Sequence, residues 1–315
     1  MRLVFMGTPE SAVPSLRRLI DDGHEIVAVW TQPDRPAGRG NKLHQSPVKE
    51  FAVEHNLTIH QPLKIKTPEA KKLFASHGAD AAVIVAYGRI LPADFLNAAR
   101  HGCINVHFSL LPKYRGAAPV NWAIVQGEKE TGVTTMRIVE ELDAGPVLLQ
   151  RATRIGESET APELMERLAV LGADLLSETL TGIESIEEQP QRNEDATFAP
   201  MLKRETGRID WTMNAVAIDR RVRGLQPWPN AYTTLNSRRL IIRRATAETL
   251  QQSSASGQIL PGQIIEAHGD RLVVACQGAT ALRVLELQPE DSRRMSARDF
   301  LNGAHLKMGE VLGQP

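Results

Sequence analysis

The spacing of apolar residues changes along the chain, and each spacing predicts a different element. Leu3–Met6 and Ile26–Thr31 are short apolar runs typical of buried strands. The segment between them has apolar residues at helical spacing, namely Val13, Leu16, Leu19 and Ile20. A strand, a helix and a second strand in this order predict an α/β domain with a doubly wound, mostly parallel sheet.

The middle of the chain continues this architecture. Ala81–Ala86 and Cys103–Phe108 predict further buried strands, and Gly132–Val139 alternates in polarity like another strand. Ala117–Gln126 and Ala161–Leu180 predict helices, and the second carries a leucine stripe that favours packing against a core.

The last third of the chain has a different pattern. Residues 187–197 contain a single apolar residue, Ala196, and predict a linker. Five short alternating segments then predict a small β-barrel: Ala231–Leu235, Leu240–Arg244, Gly262–Glu266, Arg271–Ala275 and Ala281–Leu287. The predicted organisation is a first domain over 1–189, a linker over 190–207 and a second domain over 208–315.

Two polar side chains mark the end of the predicted strand Cys103–Phe108. Asn105 and His107 are two positions apart and therefore share one face of the strand. Open α/β sheets bind ligands at the carboxyl ends of their strands, so this pair is a candidate site. The alternative is that both are hydrogen-bonded polar groups without a chemical role.

Residues 31–49 form a basic segment between predicted elements. Two prolines and two glycines within residues 33–40 predict that no regular structure forms there. Its cations outnumber the single carboxylate of Asp34 and are Arg35, Arg39, Lys42 and Lys49. The segment is either a mobile surface loop or an arm that grips the phosphates of a nucleic acid.

Composition narrows the possible functions. The 315 residues have a formal net charge of +0, yet residues 201–315 hold 16 Lys and Arg against 11 Asp and Glu, which favours a polyanionic partner. Two distant cysteines form neither a disulfide framework nor a zinc motif. With no signal-peptide pattern and no apolar run long enough to span a bilayer, a soluble cytoplasmic protein is expected.

The chain lacks the signatures of three other kinds of protein: dinucleotide-binding enzymes, serine hydrolases with a nucleophile elbow, and zinc proteases. The turn after Leu3–Met6 has one glycine where a dinucleotide-binding fingerprint needs three. Ser109 is not in a Gly-x-Ser-x-Gly elbow, and no His-Glu-x-x-His pattern occurs.

The run INVHFSLLP over 104–112, followed by Arg115-Gly116, resembles the signature of the folate-dependent formyltransferases. Asp143, in Leu142-Asp143-Ala144-Gly145, falls where that family keeps its third catalytic residue. The resemblance covers nearly the whole chain and is to the branch that formylates methionyl-tRNA. It includes GTP at 7–9, TQPDRPAGRG at 31–40, VAYGRILP at 85–92, RGAAP at 115–119, PWP at 227–229 and MSA at 295–297.

This resemblance implies a Rossmann-like catalytic domain followed by an OB-fold-like domain that contacts tRNA. It implies 10-formyltetrahydrofolate as the formyl donor, no metal, methionyl initiator tRNA as the acceptor, no membrane association and a monomer. The implied folate contacts are Tyr87, Gly88, Arg89, Ile90, Leu91, Ser109, Leu110, Leu111 and Pro112. The implied tRNA contacts are Arg35, Arg39 and Lys42.

Formyl transfer to an amine needs an unprotonated nucleophile and a stabilised tetrahedral intermediate. A free α-amino group titrates near ~7.7–8.0, so much of it is competent at neutral pH. In the expected mechanism Asn105 and His107 stabilise the oxyanion, and Asp143 tunes His107 and assists proton transfer.

Two positions depart from the family pattern, and three other functions remain open. Ser11 stands where phenylalanine is expected, which affects the methionine pocket, and Phe108 stands where some relatives have glycine. The alternatives are a formyltransferase for a nucleotide sugar or glycinamide ribonucleotide, a 10-formyltetrahydrofolate hydrolase, and a non-catalytic RNA-binding module. The basic segment 31–49 argues against the first two, and the intact Asn105, His107 and Asp143 argue against the third.

Overall fold

The protein is described by a computed structural model that covers residues 1–37, 42–250, 259–304 and 306–313. The chain forms two compact units. The first unit comprises Met1–Pro119, Glu130–Arg154 and Leu164–Ala199. The second unit comprises Val120–Lys129, Ile155–Glu163 and Pro200–Pro315. Each unit is therefore assembled from separate stretches of sequence.

The regular elements follow in chain order. The strands are β1 (Arg2–Gly7), β2 (Glu25–Trp30), β3 (Arg35–Ala37), β4 (Lys42–His44), β5 (Ile59–His60), β6 (Ala81–Val85), β7 (Cys103–His107), β8 (Arg115–Gly116), β9 (Glu130–Arg137), β10 (Val147–Arg154), β11 (Phe198–Ala199), β12 (Ala231–Leu235), β13 (Arg238–Thr249), β14 (Ile264–His268), β15 (Arg271–Cys276), β16 (Thr280–Pro289) and β17 (Met295–Ser296). The α-helices are α1 (Val13–Asp21), α2 (Pro47–Glu54), α3 (Pro68–Ser76), α4 (Ala93–Leu96), α5 (Pro119–Gln126), α6 (Ala161–Thr181), α7 (Ala215–Gly224) and α8 (Ala297–Ala304).

The first unit is organised around a seven-stranded sheet with the order β10-β9-β7-β6-β1-β2-β5. Strands β7, β6, β1, β2 and β5 are parallel to one another, whereas β9 pairs antiparallel with both β7 and β10. The prediction of a doubly wound, mostly parallel sheet is confirmed. The strand order reverses between β1 and β6, and ligands of such sheets bind at the carboxyl ends near this reversal.

The central strands are continuous apolar runs because both faces of the sheet are covered. All five residues of β6 are buried, and so are the last five of β1. Gly7 ends β1 where the chain packs closely: a Cβ there would lie 2.9 Å from Cβ of Ala12, which immediately precedes α1, and 3.1 Å from the Val85 carbonyl oxygen at the end of β6. The start of α1 and the end of β6 can therefore approach each other.

Local sequence fixes where two helices begin. Ser46 precedes α2, and its side chain accepts a hydrogen bond from the backbone N–H of Lys49 at 3.1 Å. Thr67 caps α3 in the same way through the N–H of Ala70 at 3.3 Å. In both helices a proline follows the cap, where its missing N–H costs nothing.

The prediction that residues 33–40 lack regular structure is wrong for Arg35–Ala37. These residues form β3, which pairs antiparallel with β4 in a separate two-stranded ribbon. Pro36 is tolerated because a two-stranded ribbon has two edges, and a proline can direct its missing N–H away from the partner. The described part of the basic segment is thus ordered. Residues 31–49 are called the basic arm below.

The second unit contains an antiparallel sheet with the order β12-β13-β16-β15-β14, and β17 pairs with β16. All five strands predicted for this region are present. Ile218 and Val222 of α7 and Phe300 of α8 belong to the same buried cluster as the inward side chains of the sheet. In the described part of the chain, no helix is both long and apolar enough to cross a membrane.

A half-buried histidine pair in the first unit makes stability sensitive to acid. Trp30 donates a hydrogen bond from Nε1 to Nε2 of His77 at 3.2 Å, and the His60 and His77 rings lie 5.1 Å apart. Nε2 of His60 is buried and has no hydrogen-bond partner among the described residues. Burial lowers the pKa of both histidines below 6.5, and for His77 the charge of His60 adds to the effect.

We expect the free energy of unfolding to decrease as pH falls below about 6.5, because the unfolded chain then takes up protons that the folded chain resists. The decrease should level off once the pH is below the folded-state pKa values. Chemical denaturation at pH 7.5, 6.5 and 5.5 measures it. His60→Gln, which removes one titrating group, should flatten this dependence; an unchanged slope would contradict the assignment.

Candidate active site

The carboxyl end of β7 carries the two predicted polar residues. Asn105 is half-buried and lies between Ile84 of β6 and Met136 of β9. His107 is 6% exposed and lies opposite Thr134 of β9, beyond the last residue of β7 that pairs with β6. No described residue makes a hydrogen bond to the Asn105 side chain, so its amide is available to a ligand.

His107 is held between a carbonyl and a carboxylate. Its Nε2 lies 3.1 Å from the carbonyl oxygen of Tyr114, which can only accept, so Nε2 carries a hydrogen. Its Nδ1 lies 3.7 Å from Oδ2 of Asp143, and the two side chains are 7% and 13% exposed. The structure therefore brings His107 and Asp143 together as a largely buried pair, and both nitrogens of the His107 ring already face protein acceptors.

Asp143 occupies an unusual backbone conformation for a residue with a side chain. Its φ is 50°, in the left-handed region that aspartate and asparagine tolerate better than most residues. Its Oδ2 accepts a hydrogen bond from the backbone N–H of Gly116 at 2.8 Å. The carboxylate is thus oriented by β8 on one side and directed at His107 on the other.

The turn after β7 is fixed by two side chains that sequence reasoning missed. Thr134 donates to the carbonyl of Ser109 at 2.7 Å and accepts from the N–H of Leu111 at 3.1 Å. Gln150 donates to the Leu111 carbonyl at 2.7 Å and to the Thr134 hydroxyl at 2.9 Å. The Ser109 hydroxyl donates to the Lys113 carbonyl at 2.6 Å.

These bonds bear on the predicted folate contacts of the turn. Ser109 is 0% exposed and Leu111 is 4% exposed, whereas Leu110 and Pro112 are partly exposed. The buried side chains hold the turn in place, and the partly exposed ones face outward. Nothing in the alternating pattern of β9 distinguishes Thr134 from an ordinary strand residue.

The loop after β6 carries the other predicted folate contacts. The Tyr87 side chain is 1% exposed and belongs to the apolar core, and burial raises the pKa of its phenol to about 12. Its carbonyl accepts hydrogen bonds from Gln32 at 3.0 Å and from Thr8 at 3.3 Å. Gly88 has φ 79°, and a Cβ added there would meet nothing within 4 Å, so the backbone is open.

Gln32 also fixes the next residue of the loop. Its Oε1 accepts from Nε of Arg89 at 3.1 Å, and Nη1 of Arg89 donates to the Leu63 carbonyl at 2.7 Å. Ile90 then projects outward with 68% of its surface exposed, while Leu91 is buried at 7%. An open glycine backbone beside an exposed apolar side chain suits a flat ring that makes hydrogen bonds at its edge.

The basic arm presents fewer free cations than its composition suggests. Nζ of Lys49 lies 2.5 Å from Oδ2 of Asp34, and both side chains are mostly buried. Gln61 donates to the other oxygen of Asp34 at 2.7 Å. The hydrogen bond from Lys49 lowers the pKa of Asp34. This pair anchors the base of the arm, so Lys49 is a structural residue.

The three predicted tRNA contacts lie farther along the arm. Arg35 is exposed at the start of β3. Lys42 begins β4, but its side chain lies outside the described part of the structure, as does the whole of Arg39. Among the described residues, no group of three or more His, Cys, Asp or Glu could hold a metal ion.

Comparison with known families defines the class of protein. Residues 1–180 match the family model described as "Formyl transferase", and residues 201–305 match "Formyl transferase, C-terminal domain". The chain thus has the catalytic-family domain and the C-terminal domain of a formyltransferase.

Individual relatives narrow this class. The methionyl-tRNA formyltransferase of Solibacter usitatus is 49% identical over 100% of this chain and 99% of its own. That of Citrifermentans bemidjiense is 46% identical over 100% of this chain and 97% of its own. The structure of the N-formyltransferase from Helicobacter canadensis with folinic acid and dTDP-3-aminofucose shares the fold, with TM-score 0.63, 17% identity and coverage of 90% and 98%. The chain belongs to the methionyl-tRNA formyltransferase family.

Proposed function

We propose that this chain transfers the formyl group of 10-formyltetrahydrofolate to the free amino group of methionyl initiator tRNA in the cytoplasm. The observation that carries the proposal is the half-buried Asn105 amide beside the buried pair of His107 and Asp143, in a chain with full-length relatives of this name. The loop after β6 supports a folate ring through the open backbone of Gly88 and the exposed side chain of Ile90.

The proposed mechanism assigns a separate task to each residue. It departs from the expectation that His107 shares the oxyanion with Asn105, because both nitrogens of the His107 ring face protein acceptors. Nδ2 of Asn105 donates a hydrogen bond to the oxygen that becomes negative when the amine attacks the formyl carbon. His107, whose Nε2–H is held by the Tyr114 carbonyl, presents Nδ1 toward Asp143, and the proton lost by the amine moves through this pair to N10 of the donor. The bond between the formyl carbon and N10 then breaks, and protonated N10 leaves as tetrahydrofolate. Because the site is largely buried, both the hydrogen bond from Asn105 to the oxyanion and the attraction between Asp143 and a protonated His107 are stronger than they would be in water.

The experiment that tests the proposal identifies which molecule accepts the formyl group. The assay measures transfer of labelled formyl from 10-formyltetrahydrofolate to methionyl initiator tRNA, with free methionine, an amino-sugar nucleotide, glycinamide ribonucleotide and water as competing acceptors. Rapid labelling that requires the tRNA supports the proposal. Labelling of a small amine, or release of formate at the same rate without tRNA, would replace it with the corresponding transferase or hydrolase.

Gln32 is expected to affect binding of the formyl donor through the loop after β6. Gln32→Ala removes the amide that holds both the Tyr87 carbonyl and Arg89, so the loop after β6 should become less ordered. We expect KM for 10-formyltetrahydrofolate to rise about 10-fold, the loss from one or two hydrogen bonds, with KM for the tRNA within about 2-fold. Steady-state kinetics with each substrate varied measures this. Equal rises in both KM values would contradict a specific role at the donor.

A further inference from the structure

The segment predicted as a linker lies against the active-site loop. Strand β11 pairs in parallel with β8, directly after the turn that follows β7. The N–H groups of Tyr114 and Arg115 donate to the hydroxyl and the carbonyl of Thr197, both at 2.9 Å. The N–H of Thr197 donates to the Pro112 carbonyl at 3.3 Å. The carbonyl of Tyr114, which binds His107, thus lies in a stretch of backbone that is hydrogen-bonded to Thr197 on both sides.

A buried guanidinium connects the same segment to β8. The Arg115 side chain is 2% exposed, and its Nε donates to Oε1 of Gln191 at 3.0 Å. Its Nη2 donates to Oδ1 of Asn193 at 3.0 Å, and its Nη1 lies 3.8 Å from Oε1 of Glu141. A buried guanidinium is tolerated only when its N–H groups are hydrogen-bonded. The positions of these partners are therefore important for the stability of the loop.

Gln191 carries the connection on to Asp143. Its Nε2 donates to the Asp143 carbonyl at 2.9 Å and to the Gly145 carbonyl at 2.7 Å. Because Arg115 binds Oε1, the orientation of the amide is determined and both of its hydrogens are used. The loop has little freedom elsewhere: a Cβ on Gly145 would lie 1.9 Å from the Arg137 carbonyl oxygen.

We propose that Gln191 is a positioning residue for formyl transfer: its amide, oriented by Arg115, holds the Asp143 loop so that the carboxylate faces His107. The inference rests on the proposed function, because it concerns the same site. Gln191 touches neither substrate in this proposal and acts only through Asp143. The polar segment between the two predicted domains is then a part of the catalytic site.

The test compares Gln191→Glu with Gln189→Ala. Glutamate keeps an acceptor for Arg115 but replaces the donor with an oxygen that repels two carbonyls. Gln189 is the same residue type two positions away, is exposed, and its side chain reaches only the Glu187 carbonyl at 3.5 Å. We expect kcat of Gln191→Glu to fall about 10- to 100-fold, the effect of a misplaced catalytic group, with both KM values within about 3-fold and Gln189→Ala unchanged.

Two further readouts separate positioning from loss of structure. In an Asp143→Asn background the same substitution should lower kcat by less than about 3-fold, because residues that act as one unit are not additive. The Gly116 amide, which donates to Asp143, should shift in the NMR spectrum of Gln191→Glu and not of Gln189→Ala. Additive losses, an unmoved Gly116 amide or a kcat within about 2-fold of the unsubstituted protein would overturn the proposal.

The spectrum also keeps the two proposals apart. An inactive unsubstituted protein would refute the proposed function, while the Gly116 amide would still report whether Gln191 holds the Asp143 loop. If Gln191→Glu does not fold, Gln191→Asn, which shortens the side chain without adding charge, replaces it with the same expected outcomes.

Discussion

Asn105→Ala is expected to lower kcat for formyl transfer by about 10²–10³-fold, corresponding to ~2.7–4 kcal/mol in the barrier. The reason is geometric: the amide lies at the carboxyl end of β7, is half-buried, and no described residue makes a hydrogen bond to it. Its donor is therefore available for the negative charge that develops at the formyl oxygen. A donor used only in the transition state changes kcat more than KM.

Single-turnover kinetics with methionyl initiator tRNA would measure this effect. Asn97, an exposed asparagine just after α4, provides the matched control, and Asn97→Ala should leave the rate unchanged. Thermal unfolding of both variants tests whether the fold is preserved. A rate for Asn105→Ala within about 5-fold of the unsubstituted protein, with the fold intact, would remove Asn105 from the proposed mechanism.

Asp143→Asn is expected to lower kcat by about 10²-fold, at the lower end of the range for acid–base groups. Asparagine tolerates the left-handed conformation of residue 143, and its side-chain oxygen can still accept from the Gly116 N–H. The substitution therefore removes the negative charge beside Nδ1 of His107 without rebuilding the loop. The loss reports on charge and proton transfer, since shape and backbone are preserved.

A matched control exists elsewhere in the chain. Asp291 is also an aspartate with positive φ, at 58°, and lies exposed in a turn of the second unit. Asp291→Asn should have the activity of the unsubstituted protein. Turnover rates measured across pH 6 to 9 for both variants would complete the comparison; an Asp143→Asn enzyme that turns over at the normal rate throughout would show that the carboxylate has no part in the reaction.

In the basic arm, the sequence pattern predicted only part of the observed local structure. Its prolines and glycines indicated irregular structure, yet Arg35–Ala37 pairs with Lys42–His44, and the arm is anchored by Asp34 and Lys49. Turn-forming residues weaken a strand but do not forbid it when an ion pair and a partner strand stabilise the ends. The three residues expected to meet the tRNA remain predictions, as do the residues expected to meet folate.

Local patterns in the chain account for three features: Asn105 and His107 on one face of β7, the apolar runs of the parallel sheet, and the capped starts of α2 and α3. These features depend on spacing within a few residues, which a linear pattern records. The groups that hold the site depend instead on contacts between distant parts of the chain: Thr134 and Gln150 on the turn, and Gln191 between Arg115 and Asp143. Gln191 lies 76 positions from Arg115 and 48 from Asp143, in a stretch whose polarity predicted a linker. Polar side chains become buried when distant partners satisfy their hydrogen bonds, and such partners are set by how the chain folds back on itself.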